Sequence, residues 1–200
     1  MQSNRSLEFF DRQFRRQVEA RDFELNPFEQ LVLPHLSGTM LDFGCGLGNL
    51  AIAAARSGCT VSALDASPTA IGHLRDAARR EALPVSAQLA DLSTYRIAAR
   101  FDSAASIGLL MFFDCSTARR QLDEIKGCVR PGGVAAVNVL IEGTDYMDMF
   151  DPAGYCLFSP AEILASFEGW QLLADARHVF PAPGDTTKSF MTIVARKPAT

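Results

Sequence analysis

The chain has 200 residues, 48% of them apolar and 21% charged, which is the balance of one ordinary globular domain with a sizeable core. A net charge of −4 excludes bulk affinity for nucleic acid or an anionic membrane, and the longest apolar run, Ala104 to Phe113, is about half a membrane span. Five separated cysteines (Cys45, Cys59, Cys115, Cys128 and Cys156) include no CxxC pair, and the charged start has no apolar signal core, so a reduced, cytoplasmic protein without a redox dithiol is expected.

Leu7, Phe10, Phe14 and Val18 recur at helical spacing and predict an amphipathic first helix, with Arg12, Arg15 and Arg16 on its solvated face. Asn26-Pro27 reads as a cap and first-turn proline for a second helix that stops near Pro34. A βα rhythm follows. TMLDF (39–43) is a strand and 49–57 a helix. TVSALD (60–65) is the next strand, and Ser67-Pro68 opens a helix with Ile71, Leu74 and Ala78 on one face. PVSAQLAD (84–91), FDSAASIGLL (101–110) and GVAAVNVLI (133–141) are the third to fifth strands, with a helix from Thr117 to Gly127 before the last.

Strands apolar on both faces and alternating with helices predict a parallel sheet covered on both sides. Right-handed crossovers bring the strands' carboxyl ends to one edge. The loop over 142–158 is long enough to suggest function. Ser159-Pro160-Ala161-Glu162 predicts a capping box for a helix that Gly169 ends. WQLLADARHVF and SFMTIVARK, joined by a turn over 181–185, predict an antiparallel hairpin at the sheet edge.

LDFGCGLGN places Gly44, Gly46 and Gly48 where the first strand hands over to a helix, the edge at which doubly wound sheets bind ligands. Asp65, about 20 residues on, ends the second strand in the usual place for a carboxylate that grips ribose. Four details favour S-adenosylmethionine (SAM) over a dinucleotide. The spacing is GxGxG rather than GxGxxG. Asp42, just before the loop, would oppose a pyrophosphate but could hold an ammonium, while the following helix start can take a carboxylate. Asp91 ends the third strand, positioned to accept from an adenine amino group. VRPGGVAAV turns tightly into the fifth strand.

With LDFGCGLG as a first motif and LDAS around Asp65 as a second, then ADLSTY, SIGLLMFF and VRPGGV in order over 38–141, the chain resembles the class I SAM-dependent methyltransferases. The resemblance implies a doubly wound, seven-stranded, mostly parallel α/β sheet of Rossmann-like type with an antiparallel C-terminal hairpin. It implies one domain over 1–200: an N-terminal helical cap (1–36), a SAM-binding core (38–141) and a substrate loop, helix and terminal hairpin (142–200). SAM is then the cofactor and S-adenosylhomocysteine (SAH) the product. The implied cofactor contacts are Asp42, Gly44, Cys45, Gly46, Gly48, Asp65, Ala66, Asp91, Leu92, Ile107 and Leu109, with Leu110 and Met111 near the methyl group. A small-molecule methyl acceptor is expected, with no nucleic acid or membrane partner and a monomeric or homodimeric protein.

LLMFFDCSTARRQLDEIKGCVRPGGV, CLFSPAEILASFEGWQLL and FMTIVARK are similar to the tellurite-resistance (TehB-like) branch, through Phe158, Glu162 and Gly169-Trp170. HVFPAPGDTTKSF carries Pro and Asp where that branch has basic residues, so the resemblance places the architecture rather than the substrate. A thiol or chalcogen acceptor would need no general base. Asp114, Tyr146 and His178 are the candidates for proton transfer, with plainer readings as a helix cap, a loop residue and an edge-strand residue. Tyr155 is a second loop candidate for substrate contact. Cys45 reads as a small residue tolerated between glycines rather than a nucleophile. His35 and His73 have no sequence partners for a metal, and none is expected. The alternatives are a non-catalytic SAM- or SAH-binding protein and an NAD-linked oxidoreductase.

Overall fold

The computed structural model describes residues 5–199, so the first four residues and Thr200 of the expected 1–200 domain lie outside it. Helices α1 (Arg5–Ala20) and α2 (Pro27–Val32) precede the sheet. Asn26 opens α2 as expected. Its side-chain oxygen accepts from the Phe28 and Glu29 N–H groups, and the Glu29 carboxylate accepts from the Asn26 N–H at 2.8 Å.

The alternation then runs β1 (Thr39–Phe43), α3 (Asn49–Arg56), β2 (Thr60–Asp65), α4 (Pro68–Arg80), β3 (Val85–Leu89), β4 (Phe101–Ile107), α5 (Cys115–Cys128) and β5 (Val129–Leu140). Helix α6 (Pro160–Ala165) and strands β6 (Gln171–Ala182) and β7 (Thr186–Arg196) complete the chain. The seven strands lie in the order β3-β2-β1-β4-β5-β7-β6, parallel through β5, with β7 antiparallel to both its neighbours. Strand order reverses between β1 and β4, which creates the crevice where ligands of such sheets bind.

Each strand alternates its side chains between two cores. Leu41, Phe43 and Val137 pack on one face against Leu122 and Ile125 of α5 and Phe167 beyond α6. Met40, Val61 and Ala136 pack on the other against Leu50 of α3, Ile71 and Leu74 of α4, and Val32 of α2.

Several boundaries differ from the sequence reading. The fourth strand ends at Ile107, because Gly108 at φ +72° turns the chain into a 3-10 turn over Leu110–Phe112. The fifth begins at Val129, with an irregular register opposite 101–103. In α1, Leu7 is exposed while Ser6 and not Leu7 is buried, since Ser6 contacts the loop at 149–151. Only half of the capping box at Ser159 forms. Its hydroxyl accepts from the Glu162 N–H, while the Glu162 carboxylate turns to Arg119 at 2.6 Å and α6 stops at Ala165.

The expectation of five reduced cysteines is also corrected. Cys115 and Cys156 form a disulfide across 41 residues of sequence, a pairing set by the path of the 142–158 loop that spacing does not display. Cys45, Cys59 and Cys128 are free and buried. Among the described residues, no helix is long and apolar enough to cross a membrane, and no three His, Cys, Asp or Glu side chains are grouped to hold a metal ion.

Candidate functional site

Gly44, Gly46 and Gly48 all adopt positive φ (+85°, +51° and +82°), and each faces a side chain that a Cβ would crowd. These neighbours are Leu109 after β4, Phe14 of α1 and Leu74 of α4. The loop therefore bends as only glycine allows and lies under three different elements. No side chain of the described residues caps α3, so its first-turn N–H groups are left for an external acceptor.

Asp65 anchors the loop. Its Oδ2 accepts from the Gly46 N–H and its Oδ1 from the Ser67 N–H, both at 2.8 Å. Burial pushes its pKa up, with these backbone hydrogen bonds opposing the shift. Each oxygen keeps a further lone pair for ribose hydroxyls. Ala66, beside it, is half-buried.

Asp42 is the electrostatic centre of the site. It is 2% exposed, and its Oδ2 has no hydrogen-bond partner among the described residues. Burial, with the negative charges of Glu29 and Asp65, raises its pKa to about 8. Glu29 is itself raised by burial. The carboxylates of Glu29 and Asp65 thus both act on that of Asp42 at the edge of the glycine loop, an arrangement that repels a pyrophosphate and suits a cation. Cys45 lies among them, and burial with the charges of Asp42 and Asp65 pushes its thiol well up, which makes it a poor nucleophile.

Asp91 and Leu92 are placed differently from a simple adenine clamp. Asp91 is exposed and bonded within its own turn, accepting from the Ser93 N–H (2.9 Å) and hydroxyl (2.6 Å) and from the Thr94 hydroxyl (3.2 Å). The Ser93 hydroxyl is the largest of the bonds that lower its pKa. Leu92 is buried with Leu41 and Phe43. The buried Gln121 of α5 holds this turn, its Nε2 donating to the carbonyls of Leu92 at 2.5 Å and Tyr95 at 3.1 Å. Sequence reasoning missed Gln121, because a polar residue on a helix reads as solvated until the loop across from it is known.

Ile107 and Leu109 are half-buried at the end of β4, whereas Leu110 and Met111 turn into two separate apolar clusters. Register pairs Ile107 with Asn138 of β5 and Asn138 with Thr192 of β7, so these side chains share the Asp42 face of the sheet. The Asn138 amide donates to Thr192 Oγ1 at 2.9 Å, but its Oδ1 is buried without a partner among the described residues. His178, on the same face, packs among Phe28, Phe180 and Phe190, and its Nδ1 is likewise unpartnered among those residues. Asn138, a lone polar residue in GVAAVNVLI, was the signal that could have found this row.

Of the other proton-transfer candidates, Asp114 caps α5, accepting from the Ser116 and Thr117 N–H groups, and hydrogen bonds led by the Ser116 hydroxyl lower its pKa. That arrangement makes it a poor base. Tyr146 packs in the loop beneath Lys188, and Tyr155 stacks on Phe150.

Helix α1 lies across the loop. Phe14 touches Gly46, the Asp11 carboxylate accepts from the Ser67 hydroxyl at 2.8 Å, and Phe10 meets Phe112 edge to face at 4.7 Å. A separate cleft of about 630 Å³, lined by Arg96, Arg120, Glu124 and Cys128 among others, opens beside the C-terminal end of α5 and shares no lining residue with the glycine loop. Arg96 is already paired with Glu124 at 2.7 Å there.

Residues 40–133 match the family described as "Methyltransferase domain". TehB from Haemophilus influenzae is similar in fold, with a TM-score of 0.76 and 20% identity over 96% of this chain and 67% of that one. The N-methyltransferase NodS from Bradyrhizobium japonicum WM9, solved with SAH, has a TM-score of 0.71 and 18% identity over 98% of this chain and 100% of its own. A curated relative, Hemagglutinin 1 of Eikenella corrodens, is 27% identical over 164 residues, 79% of this chain. The chain spans about half the length (54%) of that relative. The chain therefore shares its fold with these solved structures and is similar to the methyltransferase family over residues 40–133, just under half of its length.

Proposed function

We propose that the protein is a SAM-dependent methyltransferase acting on a small-molecule acceptor. The observation that carries the reading is the buried Asp42 carboxylate, with Oδ2 unpartnered among the described residues and Glu29 and Asp65 nearby. Such a site favours a ligand that brings its own positive charge. SAM and SAH do so with an ammonium group beside a carboxylate, which the uncapped start of α3 can accept. The glycine cradle, where a Cβ would meet Leu109 or Phe14, fits a ligand held close to the main chain.

SAM supplies an electrophilic methyl group on a sulfonium for in-line transfer to the acceptor. The protein's part is to bind, orient and exclude water. Asp42 holds the ammonium, Asp65 the ribose hydroxyls, and the turn of Asp91 and Leu92 borders the adenine. Ile107 and Leu109 flank the sulfonium, with Phe10, Phe14 and Phe112 keeping the site dry. Asn138 and His178, with buried hydrogen-bonding atoms left over, are assigned to the acceptor side. With Asp114 committed to its cap, a soft thiol or chalcogen acceptor that needs no strong base suits the site, and His178 is left as the candidate base for a harder nucleophile.

Two outcomes are expected. Asp65→Ala should weaken SAH binding about 10- to 100-fold, the worth of a charge-assisted hydrogen bond of about 1.5–3 kcal/mol; unchanged affinity by titration would remove the ribose assignment. Incubation with SAM and a panel of thiols, selenols and amines should release SAH with methylation of a thiol or selenol, seen by mass spectrometry. Binding of SAM without turnover across the panel would favour a non-catalytic binder instead.

A further inference from the structure

We propose that Cys115 and Cys156 form a reversible dithiol–disulfide modification site that sets how tightly α1 is held over the glycine loop. The link to cofactor access rests on the SAM-site reading above, but the redox pair itself does not.

The disulfide joins the first residue of α5 to the end of the 142–158 loop. The Cys156 N–H donates to the Met111 carbonyl at 3.0 Å, and Gly154 packs against Asp114, so the same stretch of loop is pressed onto the segment after β4. Just before it, 149–155 forms a compact turn in which Tyr155 stacks on Phe150 at 4.8 Å and Asp151 accepts from the Ala153 N–H at 2.9 Å.

This turn is what the start of α1 rests on. Ser6 donates to the Met149 carbonyl and accepts from the Asp151 N–H, both at 3.1 Å, the Arg5 N–H donates to the Asp151 carboxylate at 3.3 Å, and Phe9 packs against the Met149 and Phe150 cluster. One to two turns further along α1, Asp11 meets Ser67 at the start of α4 and Phe14 meets Gly46 of the glycine loop. A continuous line of contacts therefore runs from the disulfide, through the 149–156 turn and α1, to the glycine loop.

Cys115 is half-buried and Cys156 is 1% exposed, so an external thiolate reaches Cys115 first. Attack by one thiolate of a small dithiol on Cys115 Sγ breaks the bond to Cys156, whose thiolate takes a proton. The second thiol then displaces Cys115, and the reductant leaves as its disulfide. In the opposite direction oxidised glutathione accepts two electrons, the protein dithiol closes, and two molecules of reduced glutathione carry away the two protons. A bond that cycles in this way is compatible with a cytoplasmic setting, where permanent disulfides are rare.

The test compares the full chain after oxidised glutathione and after dithiothreitol. Thiol titration of denatured samples should find three thiols in the first (Cys45, Cys59 and Cys128) and five in the second. Amide exchange in peptides covering 5–20 and 142–158 should be about tenfold faster in the reduced protein, with β1 and β4 unchanged. Cys115→Ser/Cys156→Ser should exchange like the reduced protein under both conditions, and the wild-type comparison stands if this variant does not fold. Five thiols after oxidised glutathione, or exchange rates in those two segments that ignore the redox state, would overturn the proposal. Redox-dependent exchange in a protein that binds no SAH in either state would uphold the pair and defeat the SAM reading.

Discussion

Asp42→Asn is expected to weaken SAH binding about 10- to 100-fold while raising the melting temperature of the ligand-free protein. Both effects come from the same carboxylate. In the ligand-free site it is buried, unpartnered at Oδ2 and crowded by Glu29 and Asp65, so ionising it is costly. An isosteric amide removes that charge. With about 1–3 kcal/mol at stake and about 2–4 °C per kcal/mol in a chain of this size, a gain of about 2–12 °C should appear at pH 8–9. The ligand loses a charge-assisted partner for its ammonium at the same time.

The pH dependence has a definite sign. The folded pKa of about 8 lies above the ordinary 3.8, so Asp42's stabilising contribution is complete below about pH 4 and is lost as pH rises through about 8. The melting-temperature gap between variant and wild type should therefore open from pH 5 to pH 8. Binding an ammonium favours the ionised carboxylate, so SAH binding near pH 7 should release a proton in the wild type and fewer in Asp42→Asn. Equal proton release in the two proteins would contradict the assignment.

Gly48→Ala should unfold the protein or lower its stability by about 2–5 kcal/mol. The residue sits at φ +82°, where an L side chain costs about 1–2 kcal/mol. An added Cβ would lie 2.4 Å from Leu74 Cδ1, and Leu74 is fully buried between α4 and the sheet with nowhere to retreat. Overpacking of this kind adds about 1–3 kcal/mol. Gly46→Ala is the useful comparison. Its Cβ would meet the ring of the half-buried Phe14 on α1 at 3.2 Å, so the cost should fall more on α1 and on ligand affinity than on the core. Denaturant unfolding of both variants separates the two cases.

The sheet was legible because its physics is local. Strands apolar on both faces, such as TVSALD and GVAAVNVLI, alternate with capped helices, and a parallel doubly wound sheet is the compact solution. Asp42, the glycines and Asp65 were legible for a related reason: they sit at strand ends that the topology forces to one edge. Features that depend on how distant segments meet were not. Cys115 and Cys156 pair because the 142–158 loop doubles back over the start of α5. Glu162 leaves its own cap for Arg119, a residue 43 positions away. Asp91 closes a turn on Ser93 and Thr94, a local pattern visible in DLST that the functional reading of the carboxylate overrode. Glu29, read only as part of a helix start, acquires its electrostatic role because α2 folds onto the Asp42 side of the sheet.

Calorimetric titration of the purified chain with SAH at pH 7, repeated in two buffers of different ionisation enthalpy and with NAD as control, tests the central claim most directly. One saturable site for SAH, a binding heat that differs between the two buffers as the carboxylate of Asp42 releases its proton to them, and no heat from NAD is the predicted result. No saturable heat from either SAH or SAM, or binding of NAD that SAH fails to displace, would contradict it.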